Sequence, residues 1–405
     1  MNGRSASPDP ATNGQLPAWK KLLFSLVVLI IVAGSLEAAA QLYLRTTQGY
    51  AGGSFLQYEF DPYKNIHPVR NWIDTRGVRH NAQGFRRDDD VAREKASGVF
   101  RIFLMGASTA YGTGGLWPHI QRDFQVLDNT ETIDAYLEEI LAGSLPYEKV
   151  EVINAAIPSI WTHHHLIYLN QTILPYDPDL VIFLDGLNDH FYYNRSHDQF
   201  ADYAYTEASH VIMGPPTGWA LVRMNAWWVF RKSAFAHVAI RAGQGLATLV
   251  RGNAEPIPIE VDQAIEDLAW VFERNALAMI ERNALLLQHE AVPALFLLQP
   301  MLILERDRLS RMPDVERQLF EFNVEATEPN YEAFIGRAAP LVARMIDRAV
   351  EPLGARFIDL TGIYHSASGQ VFTDYAHLTP QANRLLAEHI AAEVVRLAVP
   401  AQPLD

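Results

Sequence analysis

The sequence predicts an α/β domain, a parallel sheet with helices on both faces, behind a single apolar helix near the N-terminus. Three observations lead there: short apolar runs that each stop at a turn residue, amphipathic stretches between them, and one much longer apolar run starting near residue 22. Strands that alternate with helices pair in parallel and bury both faces of their sheet.

Residues 99–105 (VFRIFLM) read as a buried strand ending at Gly106. Residues 150–153 form a second such run, ending at Asn154, and residues 180–184 a third, ending in Asp185-Gly186. Residues 294–298 form a fourth, ending in Gln299-Pro300, and residues 357–360 a weaker fifth. Between them, Asn129 and Thr130 are candidate caps for a helix to about Leu141. Over residues 262–289, Ile265, Leu268, Phe272, Ala276 and Met279 recur at three- and four-residue spacing, one face of a long helix. Thr379 is placed to cap a last helix with Pro380 in its first turn. Residues 190–260, rich in aromatics including Trp219, Trp227 and Trp228, break the alternation and read as a helical insertion.

Residues 1–21 read as a disordered tail ending in Lys20-Lys21. Residues 22–44 are mostly apolar, and about 23 residues suffice for a helix to cross roughly 30 Å of hydrocarbon. The flanking positive charges favour a cytoplasmic tail and an exported remainder after Arg45. Ala38-Ala39-Ala40 resembles a signal-peptidase site, so a cleaved signal stays open beside an uncleaved anchor; the long upstream region favours the anchor. Residues 45–96 lack sustained periodicity and read as a juxtamembrane stem leading to a domain over residues 97–398.

The chain has 405 residues and a formal charge of −14. An acidic chain with no basic stripe argues against a nucleic-acid partner. With no cysteine, disulfides, thiolate nucleophiles and thiolate metal sites are excluded.

The chemistry-bearing residues lie at the predicted strand ends, where open α/β sheets collect function. Gly106-Ala107-Ser108-Thr109 puts a serine on a glycine turn before a helix. Such a turn projects a nucleophile or binds phosphate, and many are only structural; Gly112, Gly114 and Gly115 follow, but no lysine stands where a phosphate loop needs one. Asp374-Tyr375-Ala376-His377 supplies a base and a carboxylate to orient it from one short loop. Asn188, in Gly186-Leu187-Asn188-Asp189, is a candidate oxyanion donor or a turn residue. Residues 154–159 (NAAIPS) offer a backbone N–H for the same task. His163-His164-His165 does not read as a metal site, because consecutive side chains diverge.

Taken in order, GAST, NAAIPS, GLND and DYAH resemble the four blocks of the SGNH/GDSL hydrolases. Residues 81–86 (NAQGFR) are also similar to a stretch upstream of the serine block in membrane-anchored bacterial members. The resemblance implies a three-layer α/β/α flavodoxin-like fold of about five parallel strands. It implies Ser108 as nucleophile, His377 as base and then acid, and Asp374 as its orienter. The implied oxyanion donors are the Ser108 N–H, the Ala156 N–H and the Asn188 side chain, with no metal or cofactor. Two departures stand out: Ala107 replaces the aspartate of the first block, and Ala156 the glycine of the second, which would be strained if that position needs φ > 0. Ser159 replaces a second frequent glycine. The expectation is a single-pass protein of a bacterial inner membrane whose exported domain is a serine esterase or O-acyltransferase for acylated glycans or lipids. The alternative is a glycan-binding or assembly protein that keeps the fold with little catalysis.

Overall fold

The computed structural model describes residues 17–48, 57–61, 65–189, 232–251 and 258–398. In chain order these form α1 (Ala18–Gln48), β1 (Tyr58–Asp61), β2 (Asn65–Pro68), β3 (Val99–Gly106), α2 (Ser108–Tyr111), α3 (Ile133–Ala142), β4 (Lys149–Asn154), α4 (Thr162–Tyr168) and β5 (Leu180–Asp185). There follow α5 (Ala234–Arg251), α6 (Val261–Phe272), α7 (Ala278–His289), β6 (Ala294–Leu298), α8 (Asp314–Ala326), α9 (Tyr331–Val350), β7 (Arg356–Asp359) and α10 (Pro380–Ala398). Two compact units result: residues 1–48 with 218–252, and residues 49–217 with 253–405.

In the first unit α1 extends past the predicted apolar run at both ends. Lys20, Lys21 and Arg45 are good helix formers, so the helix has no reason to stop where the apolar residues do. It is long and apolar enough to cross a membrane, a test that a signal sequence near the N-terminus also passes. Glu37, a charge on this apolar helix, is not left bare. It accepts the Ser233 hydroxyl at 2.6 Å and the N–H groups of Ala234 at 2.8 Å and Phe235 at 3.1 Å, at the N-terminus of α5. The first N–H groups of a helix lack intrahelical acceptors, and a carboxylate satisfies both their hydrogen bonds and the dipole.

The second unit is built on a five-stranded sheet in the order β4-β3-β5-β6-β7, every pair parallel. This is the doubly wound arrangement expected from the strand–helix alternation. The direction of winding reverses between β3 and β5, the place where sheets of this kind collect ligands at the carboxyl ends of their strands. The central strands are buried along nearly their whole length, with Ile102, Phe103, Leu104, Val181 and Leu295 fully enclosed. Helices α3 and α10 pack against one another, and α9, whose apolar stripe runs Phe334, Ile335, Ala338, Val342 and Ile346, packs against α6.

Several elements depart from the sequence reading. The long helix expected over 262–289 is helical throughout as α6 and α7, with a π-helical segment at Glu273–Leu277 between them. The helix expected from Asn129 starts at Ile133, because Asp128 folds back on Thr130 and the Asn129 side chain is drawn toward Arg79 and Arg86. Residues 65–95, read as stem, lie in the same compact unit as the sheet and hold the β1–β2 hairpin's second strand. Residues 190–231 and 252–257 of the expected insertion, with Trp219, Trp227 and Trp228, lie outside the described residues.

Candidate active site

Ser108 opens α2 directly beyond β3, and the turn that delivers it requires glycine at 106. Gly106 has φ +151°, and a Cβ there would meet the Leu184 carbonyl oxygen at 2.3 Å and Ala110 Cβ at 2.6 Å. The backbone therefore pulls in tight against β5, and the half-buried Ser108 begins a helical turn with an N–H that has no intrahelical acceptor.

That turn is held from behind by a buried arginine. Arg86 donates through Nη1 to the carbonyls of Tyr111 at 2.7 Å and Gly112 at 2.8 Å, through Nη2 to Leu127 at 2.6 Å, and through Nε to Asn129 Oδ1 at 3.1 Å. Two of those carbonyls are the orphans that end α2, so a full charge caps its C-terminus. Asn154, fully buried at the end of β4, adds hydrogen bonds from its amide to Ala110 O and to Asp134 Oδ1 at 2.7 Å. Burial pushes the Asp134 carboxyl up to about 6, against the opposing pull of Asn154. Sequence reasoning met Arg86 only as the end of the NAQGFR stretch and Asn154 only as the start of NAAIPS. A buried side chain's partners are not local in sequence, and no periodicity reports them.

The Asp374–His377 loop is a tight hairpin. Thr373 N–H and its hydroxyl both donate to the His377 carbonyl, at 2.8 and 3.1 Å, and Thr379 N–H donates to Val371 O. Within it, Asp374 Oδ1 accepts the N–H groups of Ala376 and His377, each at 2.9 Å. Its Oδ2 accepts His377 Nδ1 at 2.7 Å and the Leu116 N–H at 2.9 Å. Burial would push this carboxyl up, but the His377 imidazole and the two loop N–H donors outweigh it and hold it below the usual carboxylate range. His377 is almost wholly buried, and its Nε2 has no hydrogen-bond partner. Asp374 thus fixes Nδ1, while Ser108 Oγ makes no hydrogen bond to the buried Nε2.

The serine turn and the histidine loop meet. Thr109, the residue after Ser108, donates its hydroxyl to the carbonyl of Ala376, the residue before His377, at 3.4 Å. Gln299 donates to the same Thr109 hydroxyl at 3.2 Å from the end of β6, so this strand-end residue braces the serine turn.

The two other predicted oxyanion contributors fare differently. Asn188 sits half-buried beyond β5 and spends one amide hydrogen on Ile160 O at 2.7 Å, which leaves the second. The Ala156 N–H is already engaged, donating to Asn154 Oδ1 at 3.1 Å. Ala156 is not among the residues with positive φ, so the methyl group that replaces the glycine there meets no left-handed backbone. Strain falls instead on Ser159, at φ +64°.

Below Asn188 lies a second group of titratable side chains. Asp189 is buried and accepts the Thr162 hydroxyl at 3.2 Å. His165 Nε2 lies 2.9 Å from Asp185 Oδ2 but off the hydrogen-bonding direction. His164 caps α4 by accepting the Trp161 N–H at 3.1 Å, a purpose separate from that of His165. Burial, then the nearby Asp185, pushes Asp189 up to about 7. A carboxyl raised in the folded state contributes stability that is full below its unfolded pKa, near 3.8, and is lost as pH rises through about 7. Asp189→Asn keeps the acceptor for Thr162 without the charge. It is therefore expected to raise Tm at pH 8 and to leave it nearly unchanged at pH 4, by thermal unfolding at both. An equal shift at the two pH values would contradict the buried-charge reading.

No family model and no curated protein matches the sequence. Among solved structures, an acetylxylan esterase from Geobacillus stearothermophilus is similar at 12% identity over 75% of this chain and 97% of its own, with a TM-score of 0.37. An extracellular lipase from Streptomyces rimosus is similar at 14% identity over 72% and 99%, with a TM-score of 0.36. A lipase/acylhydrolase from Enterococcus faecalis is similar at 16% identity over 75% and 99%, with a TM-score of 0.34. At such values no residue role and no substrate passes from those proteins to this one.

Proposed function

We propose that this chain is a serine esterase or O-acyltransferase of the SGNH/GDSL kind, working through Ser108, His377 and Asp374 on an exported domain. The observation that carries it is His377, with Nδ1 pinned to a depressed carboxylate and a buried Nε2 left without a partner, one residue after Ala376, whose carbonyl is bonded to the serine turn. In this reading His377 Nε2 takes the Ser108 proton as Oγ attacks the ester carbonyl carbon. The carbonyl π electrons move to oxygen, and the oxyanion is met by the Ser108 N–H and the free amide hydrogen of Asn188. As the tetrahedral species collapses, the bond to the alcohol oxygen breaks and His377 returns its proton to that oxygen. Water gives hydrolysis of the acyl-Ser108 ester, and a substrate hydroxyl gives transfer. The Ala156 N–H joins only if Asn154 Oδ1 releases it. That engaged donor favours the second reading, a weakly catalytic glycan-binding or assembly protein of the envelope. The flanking charges of α1 support a single pass through a bacterial inner membrane with the domain outside.

Incubation of the full-length protein with a fluorophosphonate, followed by mass mapping, is expected to give one adduct on Ser108 and none in Ser108→Ala. A folded protein that stays unlabelled while binding acylated glycan would transfer support to the second reading.

A further inference from the structure

The first unit holds a surface that ester chemistry does not use. In the sequence of α5, His237, Arg241, Gln244, Thr248 and Arg251 recur at four- and three-residue spacing, a single polar stripe along a helix. Phe235, Val238, Ala239, Ala242, Leu246 and Leu249 fall on the opposite, apolar side. Over its first turns that apolar side is turned outward. Phe235 is 42% exposed and Ala239 and Ala242 are exposed, whereas Ala234 and Ala236 are buried. A helix with an apolar side outward and arginines on the other suits the surface of a bilayer better than water.

A second observation concerns where α5 begins. Its first N–H groups all find acceptors within the unit. Ala234 and Phe235 donate to the two oxygens of the Glu37 carboxylate, Ala236 to the Ser233 hydroxyl at 3.2 Å, and His237 to the Ser233 carbonyl at 3.1 Å. Glu37 also receives the Ser233 hydroxyl and, at 3.0 Å, the Gln41 amide, so one carboxylate takes four donors. Water would satisfy a helix start and a glutamate separately. Hydrocarbon cannot, so there each must supply the other. The position on α1 agrees. At about 1.5 Å per residue, Glu37 lies roughly 24 Å along the helix from Lys21, near the far edge of a hydrocarbon core about 30 Å thick. Up to that edge α1 is apolar and exposed, from Leu22 to Val32. Beyond it Ala40 and Leu44, one and two turns after Glu37, are buried, and α1 packs against α5.

We propose that α5 lies on the membrane, its apolar side sunk into the leaflet around the Glu37 end of α1, with Glu37 as the bolt between the two helices. The partner is a phospholipid bilayer, whose phosphates suit the arginines of the polar stripe. The bolt also bears on processing. Glu37 precedes Ala38-Ala39-Ala40, so cleavage there would carry it away and strip the first N–H groups of α5 of their acceptor. The protein therefore keeps α1.

This inference rests on the reading of α1 as a membrane anchor, and its test reports the two separately. The chain has no cysteine, so single thiols serve as probes. Leu29→Cys reports α1, Phe235→Cys and Leu246→Cys the apolar side of α5, and Gln244→Cys and Thr248→Cys its polar stripe. Each full-length variant, with an environment-sensitive fluorophore on the thiol, is placed in vesicles of phosphatidylcholine and phosphatidylglycerol. Nitroxide-bearing lipid is expected to remove about half or more of the emission at positions 29, 235 and 246, and aqueous iodide to quench 244 and 248 instead. Equal behaviour of the four α5 positions overturns the membrane seat. Shielding of 235 and 246 from both quenchers also overturns it, and assigns the apolar side to a protein surface. Lipid quenching at 29 but not on α5 leaves the anchor and removes the seat. Lipid quenching on α5 but not at 29 removes the anchor, and with it the place given to Glu37. Adding Glu37→Ala should cut lipid quenching at 246 by about half or more, and Glu37→Gln, which keeps one acceptor oxygen, by less. Unchanged quenching in Glu37→Ala overturns the bolt, as does an intact mass that lacks residues 1–40.

Discussion

Replacing His377 by alanine is expected to lower kcat for an aryl acetate by about 10⁴–10⁶-fold, the range seen when the base of a serine triad is removed. The serine hydroxyl would keep its place, because its turn is fixed by Gly106, Arg86 and Thr109 and not by the imidazole. What disappears is the acceptor for its proton. The hairpin should also survive. Asp374 would still receive the N–H groups of Leu116, Ala376 and residue 377, so its carboxylate loses one donor of four. Low activity with retained fold is therefore the signature, read by steady-state hydrolysis of p-nitrophenyl acetate beside circular dichroism. A fall of less than a hundredfold would move the base elsewhere. Asp374→Asn should cost less, since the amide still fills the site but favours the wrong tautomer of His377.

That prediction rests on residues that were legible in the sequence, and the reason is physical. Ser108, Asn188 and the Asp374–His377 pair lie on short loops, so each candidate stands out within four consecutive residues. The strands were legible for a similar reason: parallel strands buried on both faces are continuous apolar runs, and the runs at 99, 180 and 294 mark where β3, β5 and β6 begin. What stayed hidden was whatever depends on distant partners. Nothing local says that Arg86 would be stripped of water and given to the end of the serine helix, or that Ala156 would spend its N–H on Asn154. Trp117 is a lone aromatic in a loop until Phe322 and Tyr375 come alongside. Helices α8 and α9 went unread, and α9 carries Pro340 within it, a residue that normally marks an interruption.

The second large effect is expected far from the serine. Arg308 is completely buried and pairs with two carboxylates that are completely buried as well, Glu305 at 3.1 Å and Glu316. Arg308→Met fills similar space but leaves both acids without a countercharge, which should destabilise the fold by about 3–5 kcal/mol. Glu305 is the more vulnerable, since burial already pushes its carboxyl up and the Arg308 charge is the main force opposing that. The damage should not stop at stability. Glu316 Oε1 also receives the N–H groups of Val371 at 3.2 Å and Phe372 at 3.0 Å, the residues that lead into the Asp374–His377 hairpin. An unpaired Glu316 can relieve its charge by taking up a proton or by admitting water, and either change disturbs the strand on which the hairpin hangs. Urea unfolding should therefore show the large loss in Arg308→Met, and adding Glu316→Gln should restore part of it. The amide oxygen keeps the two backbone donors satisfied while the buried charge is gone. If the double variant were no more stable than the single one, the cost would lie in lost packing around the substituted side chain and not in the stranded carboxylate.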